Sequence, residues 1–205
     1  MRVVREEDGF TLVEMLVTIM VMLIVMFALY SIFDMSIRVF TYGNNKVEAV
    51  ENARLGLGKM ERELRAAYPY DKGNPMTPDT RLFMGSLSER QTTFGNDLDG
   101  NRVVEPLSEQ ITYYLDGKTL KRTVGTGGAT GGQPVVEFVK PDGPADGYDG
   151  GLKFEYLNKS GAPLTPPINE AEVEAIRISL DVQTGGGTGT ATQQITTDVD
   201  LRSRN

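Results

Sequence analysis

One long apolar segment constrains this chain more than any other feature. Nearly every residue from 10 to 33 is apolar, and no residue between Met15 and Phe33 carries a charge. A helix rises about 1.5 Å per residue, so this segment covers roughly 36 Å, enough to cross a hydrocarbon core of about 30 Å with some tilt. Because the rest of the chain is polar, we predict a single-pass membrane protein.

A removable signal peptide and the core helix of a soluble domain are the alternative interpretations. A signal peptide has an apolar core of about 7–15 residues followed by a small-residue cleavage site. This run is longer, no Ala-x-Ala follows it, and residues 34–37 continue directly into another helical pattern. The remaining chain is Gly-rich and strand-like and offers little that could surround an apolar helix. We therefore favour the membrane span.

Composition excludes several classes of activity. The 205 residues include no Cys and no His, which excludes disulfides, zinc sites with nitrogen and sulfur ligands, thiol nucleophiles and Ser-His-Asp triads. Lys and Arg number 21 against 28 Asp and Glu, a net charge of −7, which is the wrong sign for a general nucleic-acid binder. Most hydrolase chemistry is therefore excluded, we expect no cofactor, and we do not expect nucleic-acid binding, because no local basic patch stands out.

An acidic side chain interrupts the start of the apolar segment. Residues 1–9 form a short polar leader, and the sequence Gly9-Phe10-Thr11-Leu12-Val13-Glu14 follows. A carboxylate is expensive in hydrocarbon, so an acidic residue at this place predicts a function and requires a partner.

These residues resemble the processing motif of type IV prepilins and type II secretion pseudopilins. The resemblance implies that a membrane-embedded prepilin peptidase cuts after Gly9 and methylates the new amino terminus at Phe10. It also implies that Glu14 is the carboxylate needed for assembly. Cleavage creates an ammonium on Phe10 that can pair with Glu14 of a neighbouring subunit. In a medium of intermediate dielectric such a pair attracts by several kcal/mol and fixes the axial register of the incoming subunit.

The resemblance also implies a location and a set of partners. The leader mixes Arg2 and Arg5 with three acidic residues, so charge indicates orientation only weakly. By resemblance the leader faces the cytoplasm, the single span lies in the inner (cytoplasmic) membrane, and the carboxyl-terminal domain is extracytoplasmic before it joins a pilus or pseudopilus. The implied partners are the prepilin peptidase, other minor and major pilins or pseudopilins, the inner-membrane assembly platform, and membrane lipid before assembly.

The helical pattern continues beyond the membrane segment. We divide it into a transmembrane half, residues 10–33, and an amphipathic half, residues 34–68, with no Pro before Tyr68-Pro69 ends it. Gly43, Gly56 and Gly58 are weak points at which the helix could bend. The apolar face predicted to pack on a sheet consists of Ile37, Phe40, Val47, Val50, Leu57, Met60, Leu64 and Ala67.

The remaining residues, 69–205, predict a globular antiparallel β domain with Gly-rich loops. Short β-type runs alternate with turn signals, and Asp116-Gly117-Lys118 between two of them is a strong hairpin signal. A second hairpin joins 175–182 to 194–201. The predicted strands are 81–84, 91–94, 111–115, 119–124, 135–139, 152–157, 174–182 and 193–201. The predicted class is therefore α+β, with a long amino-terminal helix packed on a carboxyl-terminal antiparallel sheet, the pilin-like architecture.

Further segments look like those of the W-type minor pilins and the J-type pseudopilins. They are residues 119–122, 175–180 and 201–205. This resemblance implies a minor, non-enzymatic structural subunit of a type IV pilus or a type II secretion pseudopilus. The alternatives are a major pilin or adhesin and a membrane-tethered binding protein, enzyme or receptor that keeps its leader.

The acidic residues outside the motif suggest little chemistry. The run from Asn96 to Asn101, with Glu105 beyond it, contains oxygen ligands and a Gly but fails the EF-hand spacing. We interpret it as an Asx-rich turn, with a looser calcium site left open and no metal assigned. The pairs Glu170 with Glu172 and Glu105 with Glu109, and the loop 142–149, are interpreted as solvated charge.

Overall fold

The computed structural model describes residues 9–68, 82–83, 87–101, 103–105, 107–141, 150–184 and 191–201. The leader residues 1–8, the loops 142–149 and 185–190, and the terminal residues 202–205 lie outside the described residues, as do the ends of the predicted strand 81–84. The chain divides into two compact units, Met1–Asn44 and Asn45–Asn205.

The helix α1 runs from Leu12 to Arg65, 54 residues without a break. It continues through Gly43, Gly56 and Gly58, so none of the predicted weak points interrupts it. It ends three residues before the predicted end at Tyr68. The Ala67 N–H donates to the Leu64 carbonyl at 3.1 Å, and the Tyr68 N–H donates to the Gly95 carbonyl at 3.0 Å. The backbone thus leaves the helix to join a strand.

Within the described residues, seven strands form two antiparallel sheets. The first has the order β1-β2-β3-β4 and the second the order β5-β6-β7. The strands are β1 (Gln91–Gly95), β2 (Gln110–Asp116), β3 (Thr119–Val124), β4 (Gln133–Val136), β5 (Leu152–Leu157), β6 (Ala175–Thr184) and β7 (Ala191–Asp200). The predicted α+β class is confirmed, but the structure has two sheets where the sequence indicated one.

One predicted strand is shorter in the structure, and another lies partly outside the described residues. The run 135–139 continues past β4 only as a bridge from Val139 to Val182, because Phe138 has a φ of 64°, which is incompatible with an extended strand. Of the predicted strand 81–84, the described part contains the bridge between Phe83 and Phe94. The other strands agree with the prediction within two residues.

The predicted hairpin between β2 and β3 is confirmed. Asp116 pairs with Thr119, which leaves Gly117 and Lys118 as a two-residue loop, and Gly117 has a φ of 61°. A positive φ at the first loop position matches the twist of the flanking strands, and Gly adopts it without strain.

The core lies between α1 and both sheets. In α1 the buried positions begin at Ala49 and are Ala49, Ala53, Gly56, Leu57, Met60 and Leu64. The predicted apolar face is therefore right for Leu57, Met60, Leu64 and Ala67, and Val50 packs partly against the core. It is wrong for Ile37, Phe40 and Val47, which are exposed. The prediction also omitted the small residues at which the helix contacts the sheet most closely.

Gly56 is a point of close contact. A Cβ built there would overlap the Val136 side chain, whereas one built at Gly58 would meet nothing within 4 Å. The bare backbone at Gly56 therefore lets α1 approach β4 closely.

A charged network joins α1 to the first sheet. The Glu63 carboxylate accepts a 2.7 Å hydrogen bond from the buried Tyr113 hydroxyl and a 2.8 Å hydrogen bond from Arg122 Nε. Burial, and then the charge of Glu63, raise the pKa of Tyr113 well above its usual value. Burial lowers the pKa of Arg122, but the hydrogen bond to Glu63 and its charge raise it by more. The positive charge of Arg122 thus balances the negative charge of Glu63 at the edge of the core.

Candidate functional site

The candidate processing site lies just before the helix. Gly9 and Phe10 are exposed and outside regular structure, and Phe10 keeps 78% of its surface exposed. No atom lies within 4 Å of the place that a Gly9 Cβ would take. The peptide bond between Gly9 and Phe10 is therefore free of helical hydrogen bonding and of packing in the described structure.

Thr11 caps the helix. Its Oγ1 accepts a hydrogen bond from the Glu14 N–H at 3.3 Å, and its carbonyl accepts from the Met15 N–H at 3.2 Å. Threonine at this position satisfies one of the donors that every helix leaves unpaired in its first turn. The start of α1 is thus fixed two residues after the predicted cut.

Glu14 lies in the first turn of α1. Its side chain is exposed, and within the described residues its carboxylate makes no hydrogen bond or ion pair. The partly positive end of the helix dipole favours a negative charge here. Phe10 and Glu14 are four residues apart, about one helical turn, so the new amino terminus and the carboxylate would lie near the same end of the helix.

The apolar segment that follows is exposed throughout. Large side chains from Leu12 to Phe33 keep half or more of their surface exposed, Phe27 for example 74%. Its most apolar window has a mean hydropathy of 2.7 and no buried residue. Apolar surface on this scale requires lipid or other helices around it, which fits membrane anchoring.

The acidic loop after β1 is organised around a residue that sequence reasoning placed in solvent. Glu109 is only 3% exposed. Its Oε1 accepts hydrogen bonds from the Leu98 and Asp99 N–H groups, at 2.7 and 3.1 Å, and its Oε2 accepts from the Glu105 N–H at 3.0 Å. The interpretation of Glu109 as solvated charge is therefore wrong, because three backbone donors replace water around it.

Asp97, Asp99 and Glu109 bring carboxylate oxygens within 4.8 Å of one another. Asp97 Oδ1 accepts from the Gly100 and Asn101 N–H groups, at 2.7 and 3.1 Å, which is the hydrogen bonding of an Asx turn. Glu105 instead accepts from the Asn101 side chain. Each of the three carboxylates accepts at least one backbone hydrogen bond, and we assign no metal to this loop.

The other suggested acidic pair is not a pair in the structure. Glu170 Oε1 accepts from the Leu82 and Phe83 N–H groups, at 2.7 and 3.1 Å, while Glu172 accepts from the Asn169 side chain. Glu170 thus ties a distant segment to the domain. A sequence gives no signal for such contacts, because the residues that meet are separated by almost ninety positions.

An exposed apolar helix, a free carboxylate in its first turn and a sheet domain after it define a membrane-anchored protein of the helix-and-sheet class. Residues 5–30 match the family model of the prokaryotic N-terminal methylation motif, so the chain carries the signature of type IV prepilins and pseudopilins. The motif implies processing by prepilin peptidase and assembly into filaments. No curated protein matches the chain significantly.

Proposed function

We propose that this protein is a minor pilin or pseudopilin, a non-enzymatic subunit of a type IV pilus or a type II secretion pseudopilus, and that it is similar to W-type minor pilins and J-type pseudopilins. The observation that carries the proposal is the methylation motif at residues 5–30, within which an exposed apolar helix begins at Leu12.

The first step is processing at Gly9 and Phe10. Prepilin peptidase hydrolyses the peptide bond between them, and the new amino group of Phe10 then receives a methyl group. An exposed bond outside the helix supports this step, because a protease needs an extended and accessible backbone. Gly9 lets that backbone approach without a side chain in the way.

The second step is assembly through Glu14. The ammonium of Phe10 on an incoming subunit pairs with Glu14 of a subunit already in the filament. Support comes from the Glu14 carboxylate, which has no partner in the described part of its own chain. An unpaired carboxylate among lipid chains is unfavourable, so the pairing favours the assembled state and one axial offset.

The proposed location follows from the same steps. Before assembly the subunit lies in the inner (cytoplasmic) membrane, and its carboxyl-terminal domain is extracytoplasmic. Its partners are then the assembly platform and other minor and major pilins or pseudopilins. The filament's bulk would come from a different, major subunit.

Mass spectrometry of the amino terminus tests the processing step. We expect a chain that begins with methylated Phe10 when the protein is expressed with an active prepilin peptidase, and one that retains residues 1–9 without it. The matched control is Gly9→Val, which should remain uncut because its branched side chain obstructs the backbone. An intact leader on the wild-type protein beside an active peptidase would refute the proposal and favour a tethered binding protein, enzyme or receptor.

Substitution of Glu14 tests the assembly step separately. Glu14→Gln, Glu14→Ala and Glu14→Val should insert and be cleaved normally but be at least tenfold depleted in sheared filaments, because the pairing charge is lost. Glu14→Asp should retain part of the incorporation. Thr18→Ala, one turn further along the same exposed face, serves as the control and should assemble normally. Normal recovery of Glu14→Val in filaments would contradict the role of this residue.

Abundance separates the minor subunit from the major one. A minor subunit should be a small fraction of the protein in sheared filaments. If this chain were the most abundant component, the alternative of a major pilin or adhesin would replace the minor assignment, and the processing motif would be unaffected.

A further inference from the structure

The outer edge of β7 has no hydrogen-bond partner among the described residues. Elsewhere the described residues protect the sheet edges. At the β5 edge the Tyr156 carbonyl accepts a hydrogen bond from the Leu164 N–H, and the Phe154 N–H donates to the Glu89 carbonyl. The β1 edge is bonded at Gly95, and β4 is four residues long and contains Pro134. In contrast β7 is ten residues long, with neither Pro nor Lys.

The hydrogen bonds show which groups of β7 point outward. Its register with β6 is unbroken over ten pairs, and the Leu201 N–H donates to the directly opposite Glu174 carbonyl at 3.1 Å. Hydrogen-bonded pairs alternate along an antiparallel ladder, so the odd-numbered residues of β7 bond to β6. The even-numbered ones direct their N–H and C=O groups away from the sheet. They are Thr192, Gln194, Thr196, Asp198 and Asp200.

The neighbouring ladder supports this assignment. The Asp181 N–H donates to the opposite Gly151 carbonyl at 2.7 Å, so the odd residues of β6 face β5 and its even residues face β7, as the alternation requires. Within the described residues no group bonds the outward edge of β7. Natural proteins usually shorten, bend or charge such an edge to prevent uncontrolled pairing.

We propose that β7 pairs antiparallel with β7 of a second copy of this chain, about a twofold axis at Thr196. In this register Thr196 faces its own copy, Gln194 faces Asp198 and Thr192 faces Asp200. Every outward N–H and C=O then has a partner. The result is a continuous six-stranded sheet with an isologous interface.

The side chains favour a second copy as the occupant. The edge is acidic at one end, at Asp198 and Asp200, and carries neutral donors at the other, at Gln194 and Thr192. The antiparallel register places the acidic end of one copy opposite the neutral end of the other, so that no carboxylate faces another carboxylate. Asp198 is already paired with Arg177 at 2.8 and 2.9 Å, so its charge does not oppose association. Ile195, partly buried at the edge, would be covered beside the axis.

Cross-linking of the full-length chain in detergent tests the register. The chain has no Cys, so single substitutions give unambiguous products. Thr196→Cys should form a cross-linked dimer with a short bismaleimide, because directly opposite Cβ atoms lie about 5 Å apart. Thr192→Cys should not, because the two copies of residue 192 would lie about 27 Å apart. Equal linking at both positions, or linking at neither, would overturn the proposal.

Proline substitution tests the edge itself, with oligomeric state measured by light scattering. Thr196→Pro removes an outward N–H in each copy and should weaken dimerisation by roughly tenfold or more, with little change in thermal stability. Thr197→Pro is the control, since its N–H bonds to β6 and its loss should lower the melting temperature. Thr196→Lys, which places like charges on the axis, is a second test that leaves the backbone intact.

A wild-type chain that is monomeric at every concentration would overturn the proposal, and so would a dimer unaffected by both Thr196→Pro and Thr196→Lys. The interface uses no residue of the processing motif. Failure of this pairing would therefore leave the proposed function standing, and failure of cleavage at Gly9 would leave the pairing standing.

Discussion

At the scale of single residues, surroundings decide what each carboxylate does. Glu14 is exposed and unpaired in the described structure, so it is available to a partner. Glu63 accepts hydrogen bonds from Tyr113 and Arg122, which joins the helix to the sheet. Glu109 accepts hydrogen bonds from three backbone N–H groups of a loop. The three side chains are chemically identical. Only the neighbours that folding supplies distinguish Glu14, the proposed assembly group, from the two structural carboxylates.

The Tyr113 hydroxyl gives a pH dependence with a definite sign. Its pKa is raised in the folded state by burial and by Glu63, so above about pH 10 the unfolded chain releases a proton that the folded chain keeps. Stability should therefore be complete below pH 10 and fall as the pH rises further. Tyr113→Phe should cost about 2 kcal/mol at neutral pH through the lost hydrogen bond, and should flatten the alkaline decline.

Urea unfolding followed by circular dichroism at pH 8 and above pH 10 measures this effect. Some decline should remain in Tyr113→Phe, because burial also raises the pKa of Tyr156 to about 12. Identical alkaline slopes for the wild type and Tyr113→Phe would show that the hydroxyl does not stay protonated in the fold.

At the scale of elements, α1 has two different kinds of surface along its length. Its first part exposes large apolar side chains on every side. From Ala49 onward it has one packed face, in which three of the six buried residues, Ala49, Ala53 and Gly56, are small. An Ala or Gly stripe gives a weak hydrophobic signal, so the sequence located the helix well and its contact face poorly.

Two glycines in α1 should respond in opposite directions to the same substitution. Gly58→Ala meets open space and should stabilise the protein by about 1 kcal/mol, since Ala is the better helix former. Gly56→Ala overlaps Val136, whose branched side chain is stiff, and should destabilise it by about 1–3 kcal/mol.

Denaturant midpoints of the two variants measure the difference. Adding Val136→Ala to Gly56→Ala should cost less than the sum of the two single substitutions, because the removed methyl groups make room for the new one. Equal stabilisation by both single substitutions would mean that α1 does not approach β4 closely at Gly56.

At the scale of the whole molecule, the sequence by itself determined the local features. The apolar run, the motif from Gly9 to Glu14 and the Asp-Gly turn could each be recognised locally, because hydrophobic periodicity and turn chemistry act over a few residues. The motif can be recognised from the sequence for the same reason, since its residues are neighbours in the chain. Its function depends on neighbours in sequence, and a family model of residues 5–30 finds it.

Only the tertiary structure decided how the strands divide between two sheets, that Gly56 is a contact, that Glu109 is buried and that β7 has a free edge. Each depends on residues far apart in the chain, such as Glu63 with Arg122 or Glu170 with Leu82. Packing and hydrogen bonding join such residues by distance in space, and no short sequence pattern records that distance.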